Sequence, residues 1–206
     1  MDRSIEAVTD SPVTIVVSTK DDPFVLPLGA SGGIRSLALD LRTGFHRGLW
    51  ALQLDKAVGE GRERVVFAAH GIACLAVAWW AQLSPRSYLR NVAGAVFHAP
   101  MAMTMGQAAI ARSLWPSPAT RLPFPTVVAN EGSPLVDRVL ALADNWGSRF
   151  VDMDAIAHPT RSDLRGERTG IEDHLLDLLG LFRRGERPAT ALGDRPALAA
   201  LACPAR

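Results

Sequence analysis

Apolar positions along this chain come in short blocks of two kinds. Val13-Thr14-Ile15-Val16-Val17 is a compact run rich in β-branched residues, the pattern of a buried strand. Ile34 to Leu41, Val65 to Ala69, Val92 to Phe97, Thr126 to Ala129 and Arg149 to Met153 read as five further strands. Between them the spacing changes to that of helices. Leu49, Leu52 and Leu54, with Trp50 and Val58, predict a helix over Leu49 to Val58. Ile72 to Leu83, Met101 to Leu114, Leu135 to Trp146 and Ile171 to Phe182 predict four more. Leu135 to Trp146 carries the clearest apolar stripe.

Strands alternating with helices predict an α/β fold: about six mainly parallel strands, with helices on both faces. Ligands in such sheets bind beyond the carboxyl ends of the strands. The loops that matter therefore start at Ser18, Gly71, His98, Asn130 and Asp154. The pattern gives one domain over residues 1–184. Residues 185–206 read as a Pro-, Ala- and Arg-rich tail with a weak helical stretch around Leu198 to Leu201.

Composition narrows the class. Hydrophobic residues make up 48% of the 206 and charged residues 21%, a soluble globular balance. A formal net charge of +1 gives no pull toward nucleic acid or an anionic membrane. Only Lys20 and Lys56 are lysines, and the arginines are dispersed rather than clustered. Met1 to Pro12 lacks a basic, apolar, small-residue succession, so a cytoplasmic chain is expected. The apolar stretch Val65 to Leu83 is broken by His70-Gly71, which favours a strand and a helix over a membrane span. Cys74 and Cys203 do not suggest a framework disulfide.

The most informative segment is Val65-Val66-Phe67-Ala68-Ala69-His70-Gly71-Ile72-Ala73-Cys74-Leu75-Ala76. It has the strand, sharp turn and helix of a nucleophile elbow, whose tip normally carries serine. Here the tip is Gly71. Glycine tolerates the turn and supplies no hydroxyl.

Ala69-His70-Gly71-Ile72-Ala73-Cys74-Leu75-Ala76 resembles an A-H-S-L-G-C-L-A motif. Val92-Ala93-Gly94-Ala95 with Ala99-Pro100, and Leu122-Pro123-Phe124-Pro125 before Val127-Val128-Ala129, add a fourth and fifth strand in the same order. Ala143-Asp144-Asn145-Trp146-Gly147 and Ala157-His158 follow. From Leu49 to Phe182 the chain thus resembles the small serine-hydrolase family of α/β-hydrolases, which contains retinoblastoma-binding protein 9 and the bacterial YdeN-type proteins. The resemblance implies a three-layer α/β-hydrolase-like sandwich. It places the nucleophile position at Gly71, the acid position at Ser133 and the catalytic histidine at His158. The family's Gly-rich His-Trp loop is not found in Ser18 to Gly33.

A triad needs a nucleophile, a base and a group that orients the base. Gly71 cannot attack a carbonyl, and Ser133 would orient His158 without a charge. The Ile72 amide remains a candidate oxyanion donor. Glu131, Asp137 and Asp154 are substitutes for the acid, although solvated carboxylates are the simpler reading. Cys74, a helical turn beyond the elbow, reads as a buried inert thiol, and His70 as a structural histidine. His98 is expected to face the cleft of His158. A metal held by His98, His158 and Glu131 has no compact ligand spacing behind it. No cofactor is expected, and Ser31-Gly32-Gly33 reads as a turn rather than a phosphate loop. Met101, Met103 and Met105 suit either an adaptable apolar pocket or core packing.

The leading reading is a silenced serine-hydrolase homologue, a binding or regulatory protein for a small apolar or acyl-type ligand. A second is an enzyme with a remodelled cleft that uses His158 as a general base. A third is a structural subunit that pairs with another protein or with itself. The elbow reads as surface-facing, so that a serine at Gly71 would cost about 1–2 kcal/mol.

Overall fold

The computed structural model describes residues 12–24, 33–41, 48–59, 63–114, 117–131 and 133–153, together with Leu175 and Leu178. Six strands form one parallel sheet: β1 (Val13–Thr19), β2 (Ile34–Leu39), β3 (Val65–His70), β4 (Val92–His98), β5 (Thr126–Asn130) and β6 (Arg149–Asp152). Their spatial order is β2-β1-β3-β4-β5-β6. The chain runs outward one way from β1 to β2, then the other way from β3 to β6. The crevice between the ends of β1 and β3 is therefore the topological switch point.

Every residue of β1, β3, β4 and β5 is buried, as expected where a parallel sheet is covered on both faces. The two edge strands are more open and carry Arg35 and Arg149. Alternation along β3 separates two cores. Val65, Phe67 and Ala69 face one, and Val66 and Ala68 face the other.

The first core is covered by α1 (Leu49–Gly59), α2 (Ala73–Leu83) and α5 (Val136–Trp146). Trp80 of α2 stands edge-on to Phe67, with ring centroids 5.4 Å apart, and its indole N–H donates to Asp55 of α1 at 2.8 Å. One contact thus ties two helices to the sheet. Trp146 of α5 likewise stands edge-on to Phe97, and its N–H, donated to the Pro118 carbonyl, ties the helix to the segment before β5. α5 ends where Gly147 takes a left-handed conformation, φ 63°, and its N–H returns to the last turn. The second core contains Leu175 and Leu178, both helical and fully buried against β3 and β4 residues. They fall within the helix expected over Ile171 to Phe182, the rest of which lies outside the described residues, as does the tail.

One expected helix is shorter than its sequence suggested. Met101 to Thr104 is irregular, a 3₁₀ turn spans Met105–Gln107, and α4 covers Ala108–Leu114. (α3 is the short helix Arg86–Leu89.) Thr104 and Gln107 form a reciprocal capping box that starts the helical segment there, so the three preceding residues are left to cross the strand ends. Among the described residues, no helix is long and apolar enough to cross a membrane.

Candidate functional site

At the end of β3 the chain turns sharply into α2. Gly71 occupies the tip with φ +58°, a conformation that L side chains rarely adopt. Its N–H donates to the His98 carbonyl at 3.0 Å, and Cys74 and Leu75 return their N–H groups to Gly71 and Ile72. This is the elbow read from the sequence, with Ile72 buried just inside it.

The surroundings of that tip correct one expectation. The elbow is not surface-facing: Gly71 is buried, and a Cβ built on it would lie 2.9 Å from the Ala102 carbonyl oxygen. The cause lies at the end of β4. Ala99 is held at φ 47°, a left-handed conformation unusual for alanine, and the Ala102 N–H closes back onto the Ala99 carbonyl at 2.8 Å. This turn swings residues 99–102 over the elbow. Gln107 holds the following segment down, its amide donating to Thr19 at 2.8 Å and accepting from the Thr104 N–H.

On the other face of the strand ends, His70 and His98 meet. Their Nδ1 atoms are 3.0 Å apart, and both residues are almost wholly buried. Phe24 stacks on His70 with ring centroids 4.7 Å apart. Glu131 Oε2 lies 3.0 Å from His98 Nε2, and Asp22 Oδ2 lies 4.0 Å from His70 Nε2. Four side chains from the ends of β1, β3, β4 and β5 thus form a row: carboxylate, imidazole, imidazole, carboxylate. Between the two Nδ1 atoms of a neutral pair only one hydrogen fits. Which ring donates is set by the tautomers of the two histidines.

Several expected site residues can now be placed. His70 is a hydrogen-bonded histidine, as read. Glu131 is half-exposed, yet it is engaged with His98 rather than merely solvated. Ser133 Oγ accepts the Leu135 N–H at 3.2 Å, a local turn ahead of α5. Asp137 is exposed in the first turn of α5. His158, Asp154, Ser31, Gly32 and Cys203 lie outside the described residues. No group of three or more His, Cys, Asp or Glu that could hold a metal occurs among the described residues. The His70–His98 contact was not legible beforehand. Its one signal is that each histidine is the last residue of a strand, and those strands prove to be neighbours with His70 opposite His98.

Cys74 is fully buried. Its Sγ lies 3.4 Å from the Ala69 carbonyl and 3.6 Å from that of His98, and burial pushes the thiol far up. The native protein should therefore leave Cys74 unlabelled by iodoacetamide at pH 8, with labelling only after denaturation. Native alkylation, located by peptide mass spectrometry, would contradict the inert-thiol reading.

Among the described residues, two cavities open at this end of the sheet. One, about 360 Å³, occupies the switch point between Thr19, Lys20, Asp40, Ile72, Gln107 and Ile110. The other, about 370 Å³, lies beyond α2 and is lined by Leu75, Met101, Met103 and Leu135 together with residues of α4 and α5. Met103 is half-exposed there, while Met105 stands out in solvent and lines neither.

Comparison with known proteins adds to this geometry. A YdeN-like hydrolase from Pectobacterium atrosepticum aligns structurally over 69% of this chain and 77% of its own, at 18% identity and a TM-score of 0.45. No curated protein sequence matches. Residues 43–163 match the serine hydrolase family, a span that runs from before α1 through the elbow, β4, β5 and β6 and includes His158. With more than half of the 206 residues inside that match, the chain belongs to the serine hydrolase family.

Proposed function

We propose that this family member has given up acyl-enzyme chemistry and serves as a small-ligand-binding or regulatory protein. The observation that carries this reading is the elbow. The nucleophile position is a glycine, and the space a serine Cβ would need there is taken by the Ala102 carbonyl at 2.9 Å. A replacement nucleophile would need access to the cleft and a low-pKa or activated group. Cys74 has neither, being buried with its thiol pushed up. Ser133, at the acid position, is held in the turn ahead of α5, where its Oγ accepts the Leu135 N–H. The two cavities at the strand ends are what a binding protein on this scaffold would use.

Incubation with a fluorophosphonate probe should give no adduct, and short p-nitrophenyl esters should hydrolyse no faster than in buffer. A stoichiometric adduct on any cleft serine would sink the reading. The remodelled enzyme with His158 as general base draws its support from the sequence resemblance alone. Its mark would be turnover that disappears in His158→Ala while the fold is retained.

A further inference from the structure

The second cavity has a composition that points to one ligand chemistry. Its floor and walls are Leu75, Met101, Met103, Ala108, Ala111 and Leu135. Two cations, Arg112 from α4 and Arg138 from α5, complete the lining, and both residues are exposed. Among the described residues neither guanidinium is in an ion pair. Nor does a carboxylate among the described residues line the cavity.

Two positive charges left without a carboxylate beside an apolar chamber are complementary to a ligand with an anionic head and an aliphatic tail. Arginine suits the head because its planar fork matches a carboxylate in two parallel hydrogen bonds. Methionine suits the tail: Met101 is buried and Met103 half-exposed, and flexible thioethers shape themselves to an apolar chain. A volume of about 370 Å³ lies in the lower part of the range of small-molecule sites, which favours a medium chain over a long one.

We infer that the cavity between α2, α4 and α5 binds a medium-chain aliphatic carboxylate, with its tail among Leu75, Met101 and Met103 and its head between Arg112 and Arg138. This rests on the ligand-binding reading above and gives that reading a ligand class.

Calorimetric titration of the full chain with hexanoate, octanoate and decanoate, below their micellar range, tests it. One site per chain is expected. Each two added methylenes should tighten binding roughly tenfold until the cavity is full. Arg112→Gln and Arg138→Gln should each weaken decanoate by roughly fivefold to tenfold and leave decan-1-ol unchanged. Ala108→Trp, at an exposed start of α4, should abolish binding of both by filling the chamber.

Equal binding of decyltrimethylammonium, affinity independent of chain length, or no effect of either arginine variant would overturn the inference. So would flotation with phosphatidylglycerol vesicles in the absence of decanoate binding, which would assign the arginines to a membrane surface. The two proposals fail separately. Absent decanoate binding together with an absent fluorophosphonate adduct defeats the ligand class and leaves the non-catalytic reading standing. Saturable decanoate binding together with turnover of p-nitrophenyl decanoate does the reverse.

Discussion

Gly71→Ser should destabilise the protein by roughly 2–5 kcal/mol and should restore no esterase activity, even when combined with Ser133→Asp. Two costs add at this position. The backbone sits at φ +58°, where an L side chain costs about 1–2 kcal/mol more than glycine. The new Cβ would also lie 2.9 Å from the Ala102 carbonyl, a backbone atom that cannot rotate aside like a side-chain end. Forcing such a contact in packed surroundings typically costs about 1–3 kcal/mol. Because the clash belongs to Cβ, Gly71→Ala should cost nearly as much as Gly71→Ser. The alanine variant thus separates the steric effect from any effect of the hydroxyl. Ser133→Asp alone, at a partly exposed turn, should stay within about 1 kcal/mol of the parent. Urea unfolding measures all four proteins. A Gly71→Ser variant of parental stability that hydrolyses p-nitrophenyl esters would show that the turn at Ala99–Ala102 yields readily, and that only side chains separate this protein from an active hydrolase.

The reason the elbow was legible and its roof was not is a matter of range. A strand, a glycine and a helix in direct succession are local, so Val65–Ala76 announced the turn. The parallel sheet was legible for the same reason. Blocks such as Val13–Val17 and Val92–Phe97 are apolar on both faces, which only a doubly covered strand requires. The roof depends on Ala99 adopting φ 47°, and nothing in the residues His98-Ala99-Pro100 marks that conformation, since alanine is not a residue that seeks it. Met101–Leu114 misled for a related reason. Its apolar spacing continues through Met101 and Met103, but the Thr104–Gln107 capping box sets the start of the helical segment. The imidazole pair is a long-range product: His70 and His98 are separated by 28 residues and joined only by the parallel register of β3 with β4.

That pair should prove the most strongly coupled polar contact at the carboxyl edge of the sheet. His98→Ala removes a buried ring, leaves a cavity beside Phe24, and takes away the partner of the buried His70 Nδ1. The cavity and the broken buried hydrogen bond together should cost about 3–5 kcal/mol, and His70→Ala should cost a similar amount. The double variant should be less damaging than the two singles added together, by about 1–3 kcal/mol, because the second substitution no longer breaks a hydrogen bond. Replacing both histidines by leucine should recover more stability still, since it removes both members of the buried Nδ1–Nδ1 contact and fills their space with apolar groups. Glu131→Gln should matter little, within about 1 kcal/mol, because its carboxylate is half in solvent, 51% exposed, where screening weakens the attraction to His98. What Glu131→Gln should change is the tautomer. With the charge 3.0 Å from His98 Nε2 gone, the placing of protons on the two rings should shift, and their nitrogen chemical shifts should move together. Strict additivity in the His70–His98 cycle would mean that the two rings are neighbours without a shared hydrogen, and the row of carboxylate, imidazole, imidazole and carboxylate would then be packing alone.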